Sequence, residues 1–326
     1  MLVIHLTTVP TTCSIRGMKE YPMTFDEFIK QFMTEEQCRE YLYQLRWPEG
    51  FVCPKCKEPR KAWPKGENLY ECSRCGHQTS VIAGTIFQDT RKPLRNWFTA
   101  IWWVTTQKNG ASATGLQQVL GLGSYQTAWT WLHKIRTAMV NPNRTKLSGT
   151  VEVDETYIGG EENDGKRGRV TSNKSLVVLG VELLEGNNQL GRVRMKVVLD
   201  ASKESLQGFI KENVEPGSTV ITDGWSSYAS IDESGYQHVV PKKFEVSDEK
   251  NLLPHVHMIV SLLKRWLLGT HQGAVQEMQL QAYLDEYVFR FNRRKSAKRG
   301  LLFYRLLECA LKVQPTTYSD LTNHKF

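Results

Sequence analysis

The sequence predicts an α/β chain in which a mixed sheet flanked by helices follows a small cysteine module and a helical segment. Three observations predict it. Four cysteines crowd into residues 51–90 among short alternating runs such as TSVIAGTIF, which suit small strands. Apolar residues recur at helical spacing over 94–139. Beyond residue 150 strand-like runs alternate with helical segments, in an order that implies a mixed sheet with helices against it.

Residues 24–46 read as two short helices. Thr24 with Glu27, and Thr34 with Gln37, have capping-box spacing ahead of Phe28, Ile29 and Phe32 and of Tyr41, Leu42 and Leu45. WPEG then breaks the chain. Leu94, Trp97, Phe98, Ile101, Trp102 and Val104 mark a further helix that Asn109-Gly110 stops, and Ser112 and Ser124 cap ATGLQQVLG and YQTAWTWLHKIRTAM. A short helix, a glycine-containing turn and a longer helix outline a helix-turn-helix, whose second helix would enter a DNA major groove. A helical hairpin packed by its tryptophans fits the same pattern equally well. VNPNRTKLSG reads as a linker. Strands over 150–158, 175–184 and 190–199, the last two joined by EGNNQ, suggest an antiparallel meander. A helix at 202–213, the strand TVITD, a helix near 226–231 and a strand near 236–240 follow, and helices over 255–268, 277–292 and 301–312 end the chain. There is no internal repeat.

Hydrophobic residues make 40% of the 326, charged residues 23%, with 24 Gly and 12 Pro, which excludes disordered and collagenous classes. No stretch approaches the ~20 apolar residues of a membrane-spanning helix. Forty-two Lys and Arg against 34 Asp and Glu give a net charge of +8, which favours a polyanionic partner. The first twenty residues lack the pattern of a secretory signal, so the seven cysteines are expected in a reducing cytosol without disulfides.

Cys53, Cys56, Cys72 and Cys75 form two CxxC pairs fifteen residues apart, the spacing that gathers four thiolates around one tetrahedral Zn²⁺. A disulfide or redox CxxC is the weaker alternative. Four protein ligands leave no open position for substrate, so the zinc is structural, folding a ribbon that would present Lys55, Lys57, Arg60 and Arg74. Cys13, Cys38 and Cys309 are left as ordinary thiols.

Asp154 in VEVDETYIGG and Asp223 in ITDGWSSY each stand at or near the end of an apolar strand. A carboxylate buried beside a sheet is costly unless it binds metal or is hydrogen-bonded, so both are candidate ligands, although either alone would serve equally as a turn cap. Asp200 is the competing strand-end acid. A third ligand is expected from a helix against the same edge, and PHVHMIVSLLKRWLLGTH supplies His257, with His255 as its rival. Lys264, seven residues on, shares a helical face with His257 and would hold a phosphate.

With YLYQLRWPEGFVCPKC, SVIAGTIFQDTRKPLRNWFTAIWW, VEVDETYIGG, VITDGWSSY, SLLKRWLLGTHQG, YLDEYVFRFNRR and LFYRLL, the chain resembles bacterial insertion-sequence transposases of the ISXO-like group over most of residues 23–312. These join a zinc ribbon to a D-D-E type catalytic domain with an RNase H-like fold. Met18 and Met23 both precede the first helix, so residues 1–23 are expected to be a start-site extension or tail; N-terminal helices and zinc ribbon are expected over 24–90, a helix-turn-helix-like DNA-binding segment over 91–140, the catalytic domain over 150–312 and a tail over 313–326. The resemblance matches Asp154 and Asp223 to the first two acids and places His257 where a Glu is usual, seven residues before a basic residue. An imidazole suits Mn²⁺ better than Mg²⁺.

The implied chemistry is phosphoryl transfer with two divalent ions, Mg²⁺ or Mn²⁺, in which Asp154 bridges, Asp223 and His257 each hold one ion and Lys264 neutralises a phosphate. The run RFNRRKSAKR over 290–299 holds six basic residues and no acid. Beside such a domain, Arg290, Arg293, Arg294 and Lys295, with Lys264 and Arg265, are expected along the DNA backbone. The expected activity is binding of terminal inverted repeats in double-stranded DNA, cleavage at the element's ends and joining to target DNA. Holding two ends implies a dimer or larger assembly on the DNA, in the bacterial cytoplasm and away from membranes. The rival readings are a decayed or domesticated DNA-binding protein and an RNase H-like nuclease without strand transfer.

Overall fold

Side-chain caps start the first helices where the hydroxyl spacing puts them. In α1 (Phe25–Gln31) Thr24 accepts from the Glu27 N–H, and in α2 (Glu35–Arg46) Thr34 and Gln37 form both halves of a capping box. The computed structural model describes residues 21–159, 174–184, 189–241 and 252–323, apart from 67, 142, 273 and 274. The expected extension therefore falls outside it up to residue 20, as does the turn at 185–188.

An antiparallel ribbon of β1 (Ala62–Lys65), β2 (Leu69–Cys72) and β3 (Gln78–Thr79) follows. Helices α3 (Leu94–Thr106), α4 (Ala113–Leu120) and α5 (Tyr125–Met139) come next, with Ser112 and Ser124 capping the last two as expected. α3 stops at Thr106, short of Asn109-Gly110.

These pieces share one core, and the chain returns to it at its far end. Phe303, on α9 (Arg299–Ala310), packs with ring centroids 5.4 Å from Phe28 and 5.8 Å from Phe98, while Trp97 stacks on Trp131 at 3.9 Å. Aromatic pairs of this kind add about 0.5–1.5 kcal/mol each beyond their buried area.

The packing suits both the tryptophan-packed hairpin and the helix-turn-helix outline, since a groove-reading helix also buries one face and exposes its first turn. α5 buries Ala128, Trp131, Leu132, His133, Ile135, Arg136, Ala138 and Met139, leaving chiefly its first turn, Tyr125 and Gln126, exposed. The tail is not bare either. α10 (Tyr318–Asn323) sets Tyr318 against Trp129 at 6.0 Å.

The second half is a five-stranded sheet in the order β6-β5-β4-β7-β8. Its strands are β4 (Thr150–Gly159), β5 (Lys174–Leu184), β6 (Gln189–Val198), β7 (Thr219–Ile221) and β8 (Gln237–Val239). β4, β5 and β6 form the antiparallel meander, and β7 and β8 add in parallel, so the sheet is mixed as expected. α7 (Pro254–His271) and α8 (Glu277–Asn292) cover one face through Ile259, Leu263 and Leu284 on Val177, Leu179 and Val181. α6 (Lys203–Asn213) covers the other with Leu206, Phe209 and Ile210 on Val151 and Val153. Where one helix was expected near 226–231 there are two 3₁₀ turns, Ser226–Tyr228 and Ile231–Ser234, because Ser230 adopts φ +65° and interrupts the run.

The stretch read as a linker is tied down. Leu147 is fully buried and exchanges backbone hydrogen bonds with Asn213 and Glu215, and Arg192 and Arg194 donate to the carbonyls of Lys146 and Thr145. Glu182 anchors Arg192 and the Ser148 N–H in turn.

Candidate metal centres

In the ribbon, each CxxC folds back through a residue in the left-handed region, Lys57 (φ +60°) and Gly76 (φ +64°), whose N–H groups donate to the Cys53 and Cys72 carbonyls. This brings Cys53 and Cys75 Sγ to 3.7 Å and Cys56 and Cys72 Sγ to 4.0 Å, with all four sulfurs within 4.8 Å of one another. A tetrahedral Zn²⁺ with Zn–S bonds of about 2.3 Å needs sulfurs roughly 3.8 Å apart, so the four thiols fit it. Lys55 and Lys57 are exposed, whereas Arg60 and Arg74 both pair with Glu58. The other two described cysteines differ: Cys38 is fully buried, and burial pushes its thiol up to about 12, while Cys309 is half-buried.

The second centre lies where β4 and β7 run parallel. Glu152 pairs with Ile221, and carrying that register two residues further sets Asp154 beside Asp223. On β4, Val151 and Val153 face α6, so Glu152 and Asp154 face α7. His257, on the exposed side of the first turns of α7, reaches back so that its Nε2 lies 3.2 Å from Asp154 Oδ2. Burial pushes the Asp154 carboxyl up to about 6, the Glu155 and Asp223 carboxylates add to this, and His257 opposes it. Asp223 is exposed and accepts the Trp225 N–H at 2.9 Å across a tight turn. Gly224 turns there at φ +86°, where a Cβ would meet Val240 at 2.8 Å.

Two crowded carboxylates and an imidazole fit a divalent cation, whose charge would relieve the strain on Asp154. Among the described residues, however, only the four thiols lie all within 4.8 Å of one another; Asp154, Asp223 and His257 form a looser set. The rival ligands are otherwise engaged. His255 Nδ1 meets Glu152 Oε1 at 2.6 Å, and Asp200 accepts from the Ser202 N–H and the Ser205 hydroxyl in the turn that leads into α6.

Lys264 and Arg265 are exposed on α7, Lys264 seven residues from His257 on the same face. The basic run over 290–299 is less free than expected. Arg290 forms a buried ion pair with Glu286 at 2.7 Å and donates to the Val104 and Gln107 carbonyls, so it holds α8 against α3. Arg293 stacks on Phe289 at 4.1 Å, and Arg294 stacks on Phe291 at 4.0 Å and donates to the Gly191 carbonyl. Lys295 is exposed and reaches Gln189 at 3.2 Å. Arg290 is therefore a structural clamp, placed there because a guanidinium can satisfy a carboxylate and two carbonyls at once.

Sequence reasoning missed the partners around these ligands: Glu152, Glu155 and Tyr228. A glutamate alternating with valines in VEVDET was the available signal for the first.

Residues 146–292 match the ISXO2-like transposase domain, and residues 33–78 match the transposase zinc-ribbon domain. A protein of transposable element ISH50 from Halobacterium salinarum is 27% identical over 302 residues, which span 87% of this chain and 99% of that protein. The mixed sheet and the four-thiol ribbon lie within the two matched segments. The two domain matches and this relative together support an insertion-sequence transposase with an ISXO2-like domain.

Proposed function

We propose that this chain binds the terminal inverted repeats of its element in double-stranded DNA, cuts at the ends and joins them to target DNA. The approach of His257 Nε2 to Asp154 Oδ2, beside Asp223, carries this reading. Asp154, Asp223 and His257 would hold Mn²⁺ or Mg²⁺. When bound, the divalent metal supplies activation of a water or 3′-hydroxyl and neutralises charge on the phosphate under attack. The protein's own part is to present a largely buried carboxylate, Asp154, an exposed one, Asp223, and an imidazole at one sheet edge. Lys264 and Arg265 would receive the DNA backbone on the exposed side of the same helix, and Lys295 a phosphate further along. Since no covalent protein intermediate is needed, no nucleophilic side chain is required. Structural zinc would fix the ribbon, two or more copies would hold the two ends, and the work would take place in the cytoplasm.

Asp223→Asn tests the reading. It should abolish metal-dependent cleavage of labelled element ends while leaving DNA binding within about threefold, because one neutralised acid removes only a small share of the backbone electrostatics. Cleavage at the wild-type rate would reject Asp223 as a ligand.

A further inference from the structure

β4 carries two carboxylates besides Asp154, and each reaches a different element. Glu152 is 3% exposed on the face that packs against α7. It accepts the backbone N–H groups of His255 at 3.0 Å and Val256 at 2.9 Å, and meets His255 Nδ1 at 2.6 Å. Leu253, at the N-cap of α7, makes no side-chain cap, so Glu152 caps this helix from across the sheet. The strand that presents Asp154 thus fixes the axial position of the helix that presents His257.

Glu155 does the corresponding work on the other side. Its Oε2 accepts from the Tyr228 hydroxyl at 2.8 Å, and Tyr228 is fully buried in the 3₁₀ turn that begins three residues after Asp223. The same turn is held by the Gln207 amide on the Ser227 and Ala229 carbonyls, at 3.2 and 2.8 Å. The Ser227 hydroxyl, donating to the Ala201 carbonyl at 2.7 Å, completes the hold. Asp223 enters this turn, its carboxylate taking the Trp225 N–H. Burying two carboxylates in or beside apolar faces is not the cheapest way to stabilise a strand, since well-packed apolar side chains serve as well or better.

We propose that Glu152 and the Glu155–Tyr228 pair are positioning residues, which set the spacing of Asp154, His257 and Asp223 and through it the affinity of this centre for divalent metal. The inference rests on the metal-site reading above. Partners that orient ligands without touching metal commonly change affinity by 10–100-fold when removed.

The test is Mn²⁺ binding to the full zinc-loaded chain, followed by the electron paramagnetic resonance of free Mn²⁺, with Asp154→Asn as the control for site-specific binding. Tyr228→Phe removes one hydroxyl and leaves every charge in place, so a change in affinity reports geometry. Glu152→Gln tests the second brace. Each should weaken Asp154-dependent Mn²⁺ binding about tenfold or more, with the thermal midpoint measured without Mn²⁺ lowered by only a few degrees and DNA binding unchanged. If wild-type binding depends on Asp154 and both variants bind Mn²⁺ normally, or merely melt earlier, the positioning role is overturned. If wild-type protein shows no Asp154-dependent binding, the metal-site reading itself falls, and this inference with it.

Discussion

Glu286 shows how much one residue can carry between two parts of the molecule. It is 1% exposed, pairs with Arg136 at 2.8 Å and Arg290 at 2.7 Å, and accepts the Ala111 N–H. Burial pushes its carboxyl up, but the Arg136 and Arg290 guanidiniums overcome this and hold it at about 2, below its ordinary 4.5. A depressed carboxyl stabilises the fold above its unfolded value and loses that contribution as pH falls from about 4.5 toward 2, here about 3 kcal/mol in all. Glu286→Gln should therefore be less stable than wild type by about 3–5 kcal/mol near pH 6, because two buried guanidiniums lose their counter-charge. In urea titrations that gap should narrow by about 2 kcal/mol between pH 6 and pH 3, and a gap independent of pH would contradict the assignment. None of this was legible in the run RFNRRKSAKR, where Arg290 reads like its neighbours. The Val104 and Gln107 carbonyls that it clamps lie more than 180 residues earlier. Asp154 and Asp223, by contrast, were legible because a carboxylate at an apolar strand end stands out locally, whereas Tyr228 as a brace depends on a contact 73 residues away.

The ribbon is the element whose chemistry was most fully written in the chain. Two CxxC pairs at the right separation determine both the ligand set and the turns that close it. Cys72 is 1% exposed and shares a core with Phe51, Val81 and Ile86, so the four-thiol cluster and the apolar packing support each other. Cys72→Ser should lose about one zinc per chain and unfold the ribbon, measured by metal analysis and by tryptophan fluorescence of Trp47 and Trp63. Stoichiometric zinc in the variant would contradict the site. Four helix starts were equally legible, since Thr24, Thr34, Ser112 and Ser124 each cap through a bond to a backbone group three residues on. What covers a helix is not local. α5 has an amphipathic pattern compatible with either outline, and its buried face is covered by Trp97 of α3 and by the later helices α8, α9 and α10.

At the scale of the molecule, the helical core is completed by a segment from beyond the sheet. Phe303 sits among Phe28, Phe32, Phe98 and Trp102, and the Glu286 cluster ties α8 to α3 and α5. The helical core is completed by Phe289 and by α9 from beyond the sheet, so calorimetry of the zinc-loaded chain should give one transition with agreeing calorimetric and van't Hoff enthalpies. Two separated transitions would show that the halves fold independently. The division at 140–150 expected from the sequence marks the change in secondary structure, but the packing crosses it, because α9 follows the sheet in the chain and belongs to the helical core in space. The central claim remains that Asp154, Asp223 and His257 form a working metal centre acting on DNA. The most direct measurement incubates the full chain with labelled DNA carrying the element's ends, in Mn²⁺ or Mg²⁺, beside Asp154→Asn, and sizes and sequences the products. The account predicts metal-dependent cuts at the repeat ends and joining to target DNA, both absent from the variant. Binding without cutting in either metal, on DNA with intact repeats, or equal cutting by Asp154→Asn, would contradict it.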